Sequence, residues 1–121
     1  MTITVWIVTA LLALANLLSG GMKVFAPMAQ LQPRMPWVTS VGTVQTRLIG
    51  LAEVLGAVGI VLPVLLGIAP ILTPIAAVGL ALIQAIAIVF HLRRGEGKQV
   101  PMNVVLLLLA LFVAVTRFAG F

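Results

Sequence analysis

Cysteine, tyrosine and aspartate are all missing from this chain of 121 residues, and glutamate occurs only at Glu53 and Glu96. Without cysteine there are no disulfides, no thiolate metal sites and no dithiol redox chemistry. Charged residues make up only 7% of the chain, against about a quarter in an ordinary soluble domain. A soluble domain this short exposes too large a share of its surface to manage with so few polar groups. What the chain has instead is apolar: 63% of its residues are hydrophobic and the mean hydropathy is +1.31. A bilayer accommodates that composition, because apolar side chains can then face lipid. Four spans of about 20 residues each use most of the length, so residues 1–121 form a single transmembrane domain.

The first apolar run begins at Thr2 and reaches about Val24. MTITVWIV has no cationic stretch of the kind that opens a signal peptide, which predicts a retained span. The second run extends from Arg47 to Leu66, with Pro63 in its last turn, where neighbours or water can satisfy the freed carbonyl. GIAPILTP forms a tight uncharged turn, and Pro70 or Pro74 opens a third helix over 71–92. RRGEGKQ is a polar break, and Pro101 suits the first position of a fourth helix over 101–118. The expected fold is all-α, a four-helix transmembrane bundle with spans at 2–24, 47–66, 71–92 and 101–118.

Six of the seven cations, Lys23, Arg34, Arg47, Arg93, Arg94 and Lys98, lie in or beside the connections after the first and third helices; only Arg117 lies elsewhere. The positive-inside bias places both basic loops in the cytoplasm and both termini outside. With no separate basic domain to grip phosphates, the counter-charge is anionic lipid rather than nucleic acid. In the long connection between residues 24 and 45, APMAQLQ can form a short helix from Pro27. Met35, Pro36 and Trp37 read either as an interfacial anchor or as a greasy linker lying on the membrane.

Ionisable groups inside a span cost at least about 2.5–3.5 kcal/mol at a helix centre on insertion scales, so the few polar residues there are informative. Asn16 and Lys23 share a face of the first helix, and Gln84 and His91 share a face of the third. Glu53 lies about 9 Å deeper than Arg47, and Asn103 leads a fourth-helix stripe through Leu107, Ala110, Ala114 and Arg117. Together they describe a candidate ligand-binding cup in the cytoplasmic half, with Lys23, Arg47, His91 and Asn103 as rim and Asn16, Glu53 and Gln84 as floor. Arg47 at a helix N-terminus opposes the macrodipole and calls for compensation from Glu53, a lipid phosphate or a ligand. Glu53 is open to two readings: a structural pair with Arg47 or Lys23, or a ligand or proton site. His91 is either interfacial or a proton-exchanging group. Small-residue rows, Ala52, Gly56 and Gly59 on the second helix and Ala77, Ala81 and Ala85 on the third, provide close packing.

RLIGLAEVLGAVGIVLPVLLGIAPILTPIAAVGLALI, followed by VFHLRRGE and preceded by SGGMKVFAP, resembles the DoxX-like family of small bacterial membrane proteins. The likeness rests on Arg47, Gly50, Glu53 and Gly56 in an R-x-x-G-x-x-E-x-x-G pattern, with the later His-Leu-Arg-Arg, and it extends over nearly the whole chain. It implies a four-helix bundle in the bacterial inner membrane. Some relatives are named as subunits of thiosulfate:quinone oxidoreductase or quinol-oxidase assemblies, and others as partners or chaperone-like factors of membrane complexes. Lys23, Arg47, Glu53 and His91 match the polar positions of the pattern, which carries no established catalytic role.

The leading expectation is therefore an accessory or assembly subunit with a small lipid-like ligand pocket and no independent activity. One histidine and two carboxylates do not build a transition-metal site. The alternative is a quinone-interacting subunit of a thiosulfate:quinone-type oxidoreductase, with Glu53 or His91 exchanging protons. Quinone or lipid is thus the ligand to consider, another membrane or redox protein the partner, and self-association is left open. A small multidrug exporter fits worse: the only membrane glutamate is in the second helix, tyrosine is absent, and the charge bias favours one fixed orientation.

Overall fold

The computed structural model describes residues 2–27, 29–30, 42–98 and 100–120. Four helices occupy most of them: α1 (Thr2–Phe25), α2 (Thr43–Leu66), α3 (Leu72–Arg93) and α4 (Val100–Phe118). Each is long and apolar enough to cross a membrane. The side chains that face outward are aliphatic: Leu14 is 56% exposed, Leu55 61%, Leu82 59% and Leu108 59%. In water such a surface would be untenable; in hydrocarbon it needs no partner. Arg34 and the segment Met35, Pro36 and Trp37 fall outside the described residues, as does part of APMAQLQ.

Successive helices pack side by side, α1 on α2, α2 on α3 and α3 on α4, and the ring closes with a sparser seam between α1 and α4. The core is built of small and branched residues from every helix, among them Leu12 and Ala13, Ala57 and Ile60, Ala77 and Leu80, and Ala110 and Val113. No hydrophobic effect drives membrane helices together, so close backbone approach and interhelical hydrogen bonds have to do so. The closest approach described is between α1 and α2. A Cβ added at Gly20 would lie 2.6 Å from the Gly50 carbonyl oxygen, and one added at Gly50 would lie 2.5 Å from the Lys23 Cβ. Glycine is required at both positions because the atoms opposite are backbone or Cβ, which cannot swing away.

Three expectations are corrected by these helices. The second begins at Thr43, one turn before Arg47, because the polar segment Thr43–Thr46 is helical and the Thr46 hydroxyl donates to the Gly42 carbonyl (2.7 Å). The third begins at Leu72, so Pro74 falls in its first turn, where a missing N–H costs no hydrogen bond; Pro101 is likewise second, not first, in α4. Ala52 is exposed and takes no part in packing, whereas Gly56 abuts Leu80 and Gly59 abuts Ala76. Pro63 behaves as expected: it leaves the Gly59 carbonyl without its helical donor, and the Thr73 hydroxyl of α3 supplies one at 3.1 Å.

Candidate functional site

Lys23 lies in the last turn of α1, and its side chain reaches Glu53 of α2 to form a buried ion pair through Nζ and Oε1. Glu53 is 1% exposed and Lys23 9%. The Gly20–Gly50 crossing makes this possible. Gly20 precedes Lys23 by three residues and Gly50 precedes Glu53 by three, so each charge projects one turn along from the glycine contact, into the same crevice. Of the two partners open to Glu53 on sequence grounds, Lys23 is the one found.

Arg47 does something different. Its guanidinium Nη1 donates to the main-chain carbonyls of Lys23 (2.8 Å) and Ala26 at the end of α1. Those carbonyls are the negative end of the α1 dipole and lack intrahelical donors. The compensation for a cation in the first turns of α2 thus comes, in part at least, from the C-terminus of α1, a source outside the three expected.

Asn16, Glu53 and Gln84, the proposed floor, come from three helices and are 1%, 1% and 4% exposed. The antiparallel Gly20–Gly50 crossing, in which Gly20 also faces Glu53 and Gly50 faces Lys23, sets Asn16 within about one helical turn, roughly 5 Å, of the depth of Glu53. The Gly56–Leu80 contact sets Gln84 at about the same level. The Asn16 amide donates from Nδ2 to the Leu12 carbonyl at 2.8 Å, and its Oδ1 is buried without a hydrogen-bond partner. Gln84 Oε1 is buried and unpartnered in the same way, as is Asn103 Nδ2 near the start of α4. On the side away from the basic loops the layer gives way to apolar core: Leu12, Ala57 and Leu80 each lie one turn from a floor residue.

The fourth rim residue, His91, is buried at 6% exposure and turns to Glu96, which sequence reading had left out of the site. His91 Nδ1 lies 3.0 Å from Glu96 Oε1, and Arg94 Nε donates to the same oxygen at 2.9 Å. Gly95, at φ 71°, reverses the chain so that the Glu96 N–H bonds back to the His91 carbonyl at 2.8 Å. Partial burial pushes the Glu96 carboxyl up, but hydrogen bonds from His91 and Arg94 and the attraction of both hold it below its ordinary value. The clue in the sequence was glycine just beyond the helix, which folds the fifth residue after His91 back onto it. Gly20 was likewise overlooked, although Gly-x-x-Lys in α1 and Gly-x-x-Glu in α2 have the same spacing.

The cations at this end contrast with Arg117 at the other, whose guanidinium stacks 4.8 Å from the centroid of Trp6. Arg117 lines a cleft of about 500 Å³ with Val64, Pro70, Ile71, Pro74 and Gly120, which includes none of the cup residues. Among the described residues, no group of three His, Asp or Glu side chains is placed to hold a metal ion.

A protein-family model described as the DoxX-like family matches residues 7–113. The match takes in Asn16, Lys23, Arg47, Glu53, Gln84, His91 and Asn103. No curated protein and no solved structure matches the chain.

Proposed function

The chain belongs to the DoxX-like family of membrane proteins, and from that premise we propose that it is an accessory or assembly subunit of the bacterial inner membrane whose bundle holds the head of a lipid-like ligand. The observation that supports this reading best is the buried polar layer. Asn16, Glu53 and Gln84 are buried within about one turn of each other in depth, inside a bundle whose outside is aliphatic. Buried polar groups in a membrane domain are expensive and mark functional sites by default. An ion pair accounts for Glu53 but does nothing for Asn16 Oδ1 or Gln84 Oε1. In this reading the layer belongs to the cytoplasmic half, beneath the two basic loops, and both termini face outward. Lys23 and Arg47 then tie α1 to α2 at the mouth of the cup, and Asn103 forms part of its rim with His91.

The test is to purify the tagged chain at native expression levels in a mild detergent and analyse both the proteins and the extractable lipids that accompany it. A stoichiometric membrane-protein partner and a retained amphiphile are expected. A chain that always runs alone and lipid-free would refute the proposal.

A second reading, a quinone-interacting subunit of a thiosulfate:quinone-type oxidoreductase, draws on the Lys23–Glu53 pair. Two ionisable groups beside unpartnered amides could exchange protons with a quinone head, while the apolar core receives its tail. Quinone reduction with thiosulfate as donor, abolished by Glu53→Gln, is the outcome that favours it over the first.

A further inference from the structure

The cleft at the end opposite the basic loops has a chemistry of its own. It offers about 500 Å³, within the range of about 300–1,000 Å³ usual for small-molecule sites. Its walls come from three helix ends: Val64 in the last turn of α2, Pro70, Ile71 and Pro74 around the start of α3, and Arg117 with Gly120 at the end of α4. Because it forms where the spans end, it lies at the depth of lipid headgroups and not of acyl tails. Among the described residues its lining side chains are apolar except for the Arg117 guanidinium, and no carboxylate faces it. Stacking on Trp6 at 4.8 Å holds the plane of that guanidinium. A planar fork held in one orientation matches two oxygens of a phosphate, which a flexible ammonium meets only as a point charge. Ile71 is both on the wall and exposed, and Ile75 and Val78 carry the same face along α3 toward the bilayer centre. An amphiphile with its head in the cleft therefore has an aliphatic track for its tail.

We propose that this cleft binds the phosphodiester group of a net-anionic lipid, with an acyl chain lying along Ile71, Ile75 and Val78. A cationic head is repelled by Arg117, and a zwitterionic head brings its own ammonium beside the guanidinium with no carboxylate on the walls to receive it. A net-anionic head places its charge against the cation and leaves the rest of the cleft to apolar contact. The site does not depend on the polar layer or on what that layer holds.

The chain has two tryptophans and no tyrosine, so Trp37→Phe leaves Trp6, which lies against Arg117, as the one strongly fluorescent side chain. The full chain with this change is reconstituted in bilayers of phosphatidylcholine brominated in its tails, and unbrominated phosphatidylglycerol is titrated in. Bromine quenches tryptophan emission at short range, so a site that prefers the anionic lipid recovers its emission at a low fraction of it. A preference of about fivefold is expected, the factor for one cation facing an anionic lipid, with half the recovery at about one-sixth phosphatidylglycerol. Unbrominated phosphatidylcholine titrated in the same way should show no preference. Arg117→Gln is expected to remove the preference for the anionic lipid, and Arg117→Lys to keep only part of it. Equal titrations with the two lipids, or a preference that persists in Arg117→Gln, would overturn the proposal. Inorganic phosphate and chloride, added at equal ionic strength, separate lipid-borne from soluble phosphate. Equal effects of the two salts are expected; loss of the preference with phosphate alone would make this a site for a soluble anion and overturn the lipid assignment. The contrast between the two lipids on the chain that retains Arg117 decides the matter even if a variant does not fold.

Discussion

Lys23 and Glu53 show how a charge pair survives in a bundle surrounded by hydrocarbon. Each ion alone would be prohibitive there, and together they hold α1 to α2 at the point where Gly20 and Gly50 let the backbones meet. Removing one partner strands the other, at a cost of about 3–5 kcal/mol, whereas replacing both with apolar residues of similar size is often neutral or stabilising. Lys23→Met and Glu53→Gln should therefore each lower the unfolding temperature markedly in detergent, and Lys23→Met with Glu53→Leu should recover most of the loss. A double variant as unstable as the sum of the singles would mean that the two side chains act independently. Thr73 makes a similar point with a neutral group. Thr73→Val removes the donor to the Gly59 carbonyl that Pro63 leaves open and should cost about 1–3 kcal/mol. Thr73→Ser should cost much less, and equal losses in the two variants would show that the methyl group, not the hydroxyl, matters. Glu96 adds a dependence on pH outside the spans. Its carboxyl titrates lower in the folded hairpin than in the unfolded chain, so its contribution is present above the unfolded value and is lost as pH falls through the folded one. Thermal stability should thus decline on acidification below about pH 4.5, near the ordinary carboxylate value, and Glu96→Gln should flatten that decline.

Helices in this bundle are held by close contact more than by shape-filling side chains, and the glycines separate the two effects. Gly20→Ala and Gly50→Ala each force a Cβ against backbone or Cβ atoms of the facing helix and should cost about 1–3 kcal/mol as overpacking. Gly56→Ala meets the Cγ and Cδ2 of Leu80, a side chain that can change rotamer where backbone cannot, and should cost less. Gly21 and Gly79 lie inside helices with nothing within 4 Å of an added Cβ. Alanine there should stabilise by about 0.5–1 kcal/mol through propensity. Thermal melts that rank all five alike would remove the crossing from its proposed role. The spans themselves were legible in the sequence because hydrocarbon thickness demands some 20 apolar residues per crossing and two polar breaks and one proline-rich turn separate them. What escaped detection were features with no hydropathy signal. The start of α2 is polar, so the apolar run began at Arg47 and hid the helical turn from Thr43. Gly20 belongs to an ordinary Gly-Gly pair until its counterpart on another helix is known. Glu96 reads as loop until the reversal at Gly95 returns it to His91. The buried state of Asn16, Glu53 and Gln84 was foreseeable because helical spacing and the aversion of lipid for polar groups both pointed inward. Which of Lys23 and Arg47 would take the carboxylate was not, since Arg47 is near it on the same helix and Lys23 at a similar level on the neighbouring one.

Taken whole, the molecule is polarised along its axis. Lys23, Arg47, Arg93, Arg94 and Lys98 gather at one end of the described helices and Arg117 is at the other. The ion pair, the His91–Glu96 contact and the unpartnered amides all lie toward the cation-rich end, with the apolar core between them and the uncharged α2–α3 turn. A site open to a soluble or membrane partner would therefore differ in compartment according to orientation. On the orientation proposed from the positive-inside rule, the cation-rich end faces the cytoplasm. Because the chain has no cysteine, single cysteines can report this directly without altering a native thiol. Gly97→Cys, in the basic α3–α4 loop, should react with a membrane-impermeant maleimide only after the cells are opened. Ile68→Cys, in the α2–α3 turn, and Ala119→Cys, beyond α4, should react from outside in intact cells. All three positions are exposed in the fold, so differences in labelling report the side of the membrane and not burial. The reverse pattern would turn the polar layer toward the exterior and require a ligand or partner on that face. Mixed labelling at each position would indicate dual insertion, which the six-to-one distribution of cations argues against.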